Sequence, residues 1–113
     1  MFMRSYLFDI TLKELPSFLE ENSLVILDIW DGDCKVCKIL APELDKFAKE
    51  NVGLCMFAKI KGDNVRDEII ERFNLRGVPT FIVFKDGVEI DRSMGFSGLK
   101  TFNWMKSIIE SNN

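Results

Sequence analysis

Two cysteines separated by two residues are the side chains of this sequence best suited to do chemistry. They are Cys34 and Cys37, and they lie between a predicted buried strand and a predicted amphipathic helix. Free amides and the macrodipole at a helix N-terminus favour a thiolate at Cys34, which is the form in which a cysteine attacks a disulfide. The second sulfur lies about one helical turn further on, so Cys37 could resolve a mixed disulfide formed by Cys34.

The same spacing also occurs as half of a zinc site, so the motif alone leaves two interpretations open. The sequence contains three cysteines and no histidine. Catalysis by a cysteine–histidine pair is therefore excluded, and a zinc site would need a carboxylate or a second chain to complete its ligands. The third cysteine, Cys55, falls in an alternating apolar segment, and we expect a buried, inert thiol.

Length and composition predict one globular domain, residues 1–113, with 47% hydrophobic and 29% charged residues and no linker. The net charge is −3 and no basic stripe is present, so nucleic acid is not an expected partner. The longest uninterrupted apolar run, 54–58, is far shorter than the roughly 18 residues of a membrane span. Because the first eight residues contain too short an apolar stretch for a secretory signal, we expect a soluble cytoplasmic protein with no membrane partner.

Strands and helices alternate in the hydrophobic pattern. The predicted strands are 2–8, 24–30, 54–60, 80–85 and 88–94, the last two joined by an Asp86-Gly87 turn. The first helix begins at a Thr11–Glu14 capping box or at Pro16, and three further helices cover 34–51, a segment starting near Asn64, and 99–109. The last helix is predicted to bury Leu99, Phe102, Met105 and Ile109. This order predicts an α/β domain with a mixed sheet.

Over nearly its whole length the sequence resembles the thioredoxin family. The resemblance is carried by residues 25–30, the cysteine pair, Lys38, Ala41-Pro42, Phe57-Ala58-Lys59, Asp63, Phe73, 76–80, 84–87 and Gly95. It implies a thioredoxin-like fold, in which a central mixed five-stranded sheet is flanked by four helices and the chain ends in a β-hairpin and a helix.

The resemblance also implies roles for individual residues. Cys34 would be the nucleophile and Cys37 the resolving thiol, and the two would form the redox disulfide. Asp28, six residues before Cys34, matches the family's buried acid; burial among apolar neighbours should raise its pKa, which suits a proton acceptor for Cys37. Lys59 matches the lysine near that acid, and it could tune the charge of Asp28 or merely extend to solvent from a strand end.

A docking surface for clients is a further implication. Pro79 matches the family's cis-proline that faces the dithiol, although the sequence alone would favour a trans bond. Together, Trp30, Val78, Pro79 and Gly95 would form an apolar surface around Cys34, with burial of Trp30 in the core as the alternative.

The active-site segment departs from the family pattern. Asp33 replaces a tryptophan, and Lys35-Val36 replaces Gly-Pro. Two acidic residues before Cys34 would disfavour its thiolate and two lysines after it would favour the thiolate, so the direction of the net effect stays open. The lost aromatic ring and the added carboxylates predict a narrow client range.

The function implied is that of a thiol–disulfide oxidoreductase that reduces disulfide-containing client proteins. Its electrons would come from an upstream disulfide reductase, it would need no cofactor or metal, and we expect a monomer. A disulfide oxidant or isomerase is the alternative within the same chemistry. A redox-sensitive protein-binding module is the alternative from another class, and a zinc or iron–sulfur site shared between two copies is a third.

Overall fold

A five-stranded sheet organises residues 5–113, the part of the chain that the computed structural model describes. The strands are β1 (Leu7–Asp9), β2 (Leu24–Trp30), β3 (Met56–Lys61), β4 (Thr80–Lys85) and β5 (Val88–Met94). The helices are α1 (Leu15–Glu21), α2 (Lys35–Glu50), α3 (Arg66–Phe73) and α4 (Leu99–Ser111), with short 3-10 helices at Leu12–Glu14 and Asp63–Val65. The predicted set of five strands and four helices is confirmed.

The sheet order is β1-β3-β2-β4-β5. The first three strands in that order run parallel, whereas β4 pairs antiparallel with both β2 and β5. The β4–β5 turn holds Asp86 at φ 48° and Gly87 at φ 83°, and positive φ at both central residues matches the twist of a two-residue hairpin. The predicted mixed sheet and its C-terminal hairpin are therefore both present.

Helices cover both faces of the sheet. One core cluster lies on the side of α2 and α4, and its members include Ile26, Leu40, Leu44, Phe57, Phe81 and Met105. The opposite cluster lies on the side of α1 and α3 and includes Leu15, Leu27, Ala58, Ile69 and Ile82. Since side chains alternate along a strand, the central strand β2 contributes to both clusters, and its residues 24–29 are at most 4% exposed.

Several element boundaries differ from the prediction. Residues 2–4 of the first predicted strand lie outside the described residues, and β1 starts at Leu7. The strand predicted over 54–60 begins at Met56, because the Leu54 amide closes a turn with the Asn51 carbonyl at 3.0 Å and the Leu54 side chain is exposed. The helix predicted near Asn64 follows the 3-10 turn Asp63–Val65 and begins at Arg66.

Both starts considered for the first helix exist. The Thr11–Glu14 capping box closes the 3-10 helix Leu12–Glu14, and Pro16 lies in the first turn of the α1 helix that follows. The 3-10 helix and α1 are therefore consecutive elements rather than alternatives.

The inward face of α4 was predicted wrongly at its first residue. Leu99 is 74% exposed, while Thr101, Met105 and Ile109 are buried. These three residues recur every four positions, and Leu99 lies about 120° around the helix from Met105.

No helix among residues 5–113 combines the length and apolar character needed to cross a membrane.

Candidate active site

The cysteine pair lies where β2 leads into α2. Cys34 is the N-cap residue of α2, Cys37 lies in its first turn, and the two are joined in a disulfide with their Cα atoms 5.3 Å apart. The Cys37 amide donates to the Cys34 sulfur at 3.1 Å, and the Cys34 amide donates to the Asp31 carbonyl at 3.2 Å. In the reduced protein the same helix-end amide and the helix dipole would favour a Cys34 thiolate.

The two sulfur-bearing residues differ in exposure. Cys34 is partly exposed, whereas Cys37 is 2% exposed and packs with the inward residues of α2. Of the two cysteines, Cys34 is therefore the one that solvent can reach.

Asp28 is buried in the middle of the sheet, as predicted. Its side chain is on the α2 side, since Ile26 two residues earlier belongs to that core cluster. The residue is 3% exposed, and its Oδ1 has no hydrogen-bond partner among the residues described. Burial raises the pKa of Asp28 to about 7, and the positive charge of Lys59 partly opposes this rise.

Lys59 lies opposite Asp28 in the β2–β3 register. Its ammonium is 3.8 Å from Asp9 Oδ2 and 5.4 Å from the centre of the Trp30 ring. The Lys61 ammonium is 5.7 Å from the same ring centre. Trp30 is half-buried and its Nε1 is buried without a partner among the described residues, so this side chain belongs neither wholly to the core nor wholly to the surface.

The predicted docking residues of the second half of the chain lie at the same end of the sheet as the dithiol. The Val78–Pro79 bond is cis, as the family resemblance implied. The Gly95 amide donates to the Pro79 carbonyl at 2.7 Å, so Gly95 and Pro79 are neighbours. Because Thr80 pairs with Ile29, Pro79 lies beside the end of β2 that leads to Cys34. Val78 and Gly95 are half-buried and Pro79 is buried.

Asp63 has a structural role that the sequence did not reveal. Its two carboxylate oxygens accept from the Gly32 amide at 2.9 and 3.1 Å, which anchors the loop before Cys34 and lowers the pKa of Asp63. Partial burial and the adjacent Asp63 carboxyl raise the pKa of Asp31, which also contacts Arg66 at 3.5 Å. Their positions in the sequence could have indicated this proximity, because Asp31 and Asp63 both follow the carboxyl ends of neighbouring parallel strands.

The residues that depart from the family pattern are on the surface. Asp33 and Lys35 are exposed, and Val36 is 45% exposed. Ile39, one turn after Val36 on α2, is 70% exposed. An apolar strip that the sequence analysis did not identify therefore borders the cysteine pair.

Cys55 is buried, as predicted. It is 6% exposed, and burial raises the pKa of its thiol to about 12, so it stays protonated and unreactive at neutral pH. Within residues 5–113, no three side chains of cysteine, aspartate or glutamate form a cluster suited to a metal ion.

Comparison with known proteins gives consistent matches. The family model described as Thioredoxin matches residues 7–109. The thioredoxin of Mycoplasma genitalium is 36% identical over 86 residues, which are 76% of this chain and 82% of that protein. The thioredoxin of Mycoplasma pneumoniae is 37% identical with the same coverage.

Solved structures agree with these matches. Plasmodium falciparum thioredoxin is 29% identical, with a TM-score of 0.79 over 95% of this chain and 100% of that one. The short form of spinach chloroplast thioredoxin f has a TM-score of 0.81 over 99% of this chain and 98% of that one; at 19% identity it shows the shared fold alone.

The family match and the bonded cysteine pair together show a thiol–disulfide oxidoreductase that acts on disulfide-containing client proteins through Cys34 and Cys37. The same family is indicated by the relatives, by the fold and by the position of the cysteine pair at the start of α2. This chain belongs to the thioredoxin family.

Proposed function

We propose that this protein is a protein-disulfide reductase in which Cys34 attacks the client, Cys37 resolves the mixed disulfide and Asp28 accepts the proton of Cys37. The observation that carries the proposal is the contrast within the first turn of α2. Cys34 is partly exposed and its sulfur accepts a hydrogen bond from a helix-end amide, whereas Cys37 is buried. This contrast gives the two thiols different tasks.

The reaction transfers two electrons to the client. The Cys34 thiolate attacks one sulfur of the client disulfide, so that a mixed disulfide forms and the other client sulfur leaves as a thiolate that takes a proton from solvent. Cys37 then loses its proton and attacks the Cys34 sulfur. The Cys34–Cys37 disulfide forms, and the second client sulfur leaves as a thiolate that is also protonated. The protein is oxidised and the client is reduced.

Asp28 supports the second step of this scheme. A buried thiol loses its proton more easily when a base lies on the protein side, because water has little access there. With a pKa raised to about 7, the Asp28 carboxyl can both accept a proton and release it near neutral pH. Lys59 would moderate the charge that develops on Asp28.

The partners follow from the same chemistry. Trp30, Val78, Pro79 and Gly95 would contact an extended client segment beside Cys34. A separate disulfide reductase would return electrons to the Cys34–Cys37 disulfide. The reducing direction fits a cytoplasmic location, where thiols are kept reduced, and the protein would act as a monomer.

Direction and turnover can be measured together. The equilibrium reduction potential of the dithiol is determined against a dithiothreitol series, and insulin disulfide reduction is followed in parallel. We expect a potential below that of the cytosolic thiol pool and turnover that Cys34→Ser abolishes. Cys55→Ala is the matched control and should retain turnover. A potential well above the pool would instead support the oxidant or isomerase.

A second candidate is a redox-sensitive binding module. The exposed strip of Val36 and Ile39 beside the dithiol favours it, because apolar side chains at a surface are suited to partner contact. This alternative predicts that a double variant, Cys34→Ser with Cys37→Ser, binds a partner as tightly as the reduced parent protein. Loss of binding in Val36→Ser with Ile39→Ser, together with insulin turnover by the parent protein no faster than by the double cysteine variant, would favour it over the reductase.

A further inference from the structure

Three residues at one level of the sheet connect the buried Asp28 carboxyl to the edge strand β1. Asp9 pairs with Lys59 in the β1–β3 register, and Lys59 pairs with Asp28 in the β3–β2 register. Residues at one level of parallel strands project from the same face. The residues two positions earlier on the three strands all belong to the core cluster on the α2 side, and they are Leu7, Phe57 and Ile26. The lysine therefore lies between two carboxylates on that side.

The two carboxylates are in very different environments. Asp28 is 3% exposed, whereas the Asp9 side chain is 74% exposed. The Lys59 ammonium lies 3.8 Å from Asp9 Oδ2, and within residues 5–113 its ion pair is with Asp9 and not with Asp28. Asp28 Oδ1 in turn is left without a hydrogen-bond donor among those residues. The Lys59 ammonium therefore pairs with the solvent-exposed carboxylate of Asp9 rather than with the buried carboxyl of Asp28.

Few other charged groups lie around Asp9, Lys59 and Asp28. The Trp30 ring lies under the Lys59 ammonium, with Lys61 beside it. On the far side of Asp28, β4 contributes the apolar Phe81. From the covering helices come Cys37, which titrates only when reduced, and Asp45, whose carboxylate accepts from the amides of Tyr6 and Leu7. The buried residues of α4 are uncharged, and they are Thr101, Met105 and Ile109.

We infer that Asp9 is a positioning residue that acts through Lys59, holding the ammonium at the β1 edge and away from the buried Asp28 carboxyl. The inference rests on the proposed function, in which Asp28 accepts the proton of Cys37. A carboxyl in apolar surroundings keeps a raised pKa only while no cation contacts it directly. Asp9 would thus preserve the neutral-range pKa of Asp28 without touching the dithiol.

The test is the titration of Asp28 in the oxidised protein, where neither cysteine of the pair titrates and coupling to them is removed. In Asp9→Asn the ammonium loses its outer partner and can approach Asp28. We expect the pKa of Asp28, followed by the NMR shift of its carboxyl carbon, to fall by about 0.5 to 1 unit. The acid limb of the pH profile for mixed-disulfide resolution should shift to lower pH by a similar amount.

Two further variants identify the route of the effect. Lys59→Met should raise the pKa of Asp28, and Asp9→Asn in the Lys59→Met background should change it by much less than in the parent protein. Asp67→Asn, which neutralises an exposed carboxylate at the start of α3, is the matched control and should leave the pKa of Asp28 unchanged. An equal fall in both backgrounds, or no fall in Asp9→Asn, overturns the inference.

Failure of the inference can be told apart from failure of the proposed function. If Asp28→Asn slows resolution but Asp9→Asn leaves the Asp28 titration unchanged, the proton-accepting role stands and the role of Asp9 is wrong. If Asp28→Asn resolves mixed disulfides at the parent rate, the proton-accepting role is wrong whatever Asp9 does to the titration. Because exposed ion pairs contribute little to stability, Asp9→Asn should fold normally.

Discussion

Among single residues, Asp28 and Cys55 show that burial has different consequences for different ionisable groups. Loss of water raises the pKa of both, to about 7 for Asp28 and about 12 for Cys55. The carboxyl is moved into the range where it exchanges protons at neutral pH. The thiol is moved out of that range and stays inert, although it is one of three cysteines in the chain.

The raised pKa of Asp28 predicts a pH-dependent cost to folding. The unfolded chain ionises this carboxyl near pH 4 and the folded protein only near pH 7, so stability is lost as pH rises between these values and stays low above them. Asp28→Asn removes the cost. We expect the free energy of unfolding of the variant at pH 8 to exceed that of the parent by roughly a few kcal/mol, the size that corresponds to a pKa shift of this extent.

Urea unfolding of the oxidised proteins at pH 8 and pH 4.5 would measure this difference. The advantage of Asp28→Asn should shrink markedly at the lower pH, since the folded parent protein then carries a neutral carboxyl. An advantage of equal size at both values would contradict the assignment of a raised pKa to Asp28.

At the scale of elements, side-chain hydrogen bonds to the backbone tie helices to strands. Asp45 of α2 accepts the amides of Tyr6 and Leu7 and so ties α2 to β1. The carbonyl of Phe73, at the end of α3, accepts from Arg92 Nη1 at 2.7 Å. Arg92 is itself held by two hydrogen bonds to Glu89. The segment between α3 and β4, which leads to Pro79, is thus anchored by β5.

Replacing the anchor should loosen that connection. Arg92→Met keeps most of the apolar stem but loses the donors to the Phe73 carbonyl, so we expect a loss of about 1 kcal/mol, discounted for the partial exposure of the guanidinium. Thermal unfolding would measure it, and hydrogen exchange should speed up at the end of α3. Lys100→Met on the exposed start of α4 is the control, and an equal loss there would show that the effect is not specific to the α3 contact.

Over the whole molecule, an aromatic cluster joins elements that are distant in sequence. Phe47 of α2 contacts Phe57 of β3 and Phe102 of α4, with ring centres 5.8 and 5.0 Å apart. Phe102 also contacts Phe96 at 5.6 Å. This cluster connects α4 to the rest of the core on the α2 side, although Phe102 is only half-buried.

Phe102→Ala should therefore destabilise the whole domain. We expect a loss of about 2 to 3 kcal/mol, somewhat below the usual cost of a fully buried phenylalanine, measured by urea unfolding. Phe8→Ala, at an exposed ring with one aromatic neighbour, is the matched control and should cost clearly less. Comparable losses would mean that the cluster does not join the elements as described.

Local patterns were sufficient for much of the fold. The bounds of β2, β4 and β5 agree with the prediction because continuous apolar runs and an Asp-Gly turn define them within a few residues. The local pattern did not determine which face of a helix is buried. Leu99 belongs to an apolar periodicity that fits a helix, but which part of that stripe meets the sheet depends on how α4 is rotated against the core.

The sequence by itself determined the family, the cysteine pair and the burial of Asp28, because spacing and apolar context are local properties of the chain. Tertiary structure alone decided which side chains lie around the cysteine pair and Asp28. Asp63 holds the Gly32 amide and Asp9 holds the Lys59 ammonium through contacts 31 and 50 residues apart in sequence. Such contacts depend on strand order and register, and a linear pattern carries no record of which strands become neighbours or of where a flexible lysine finds its counter-charge.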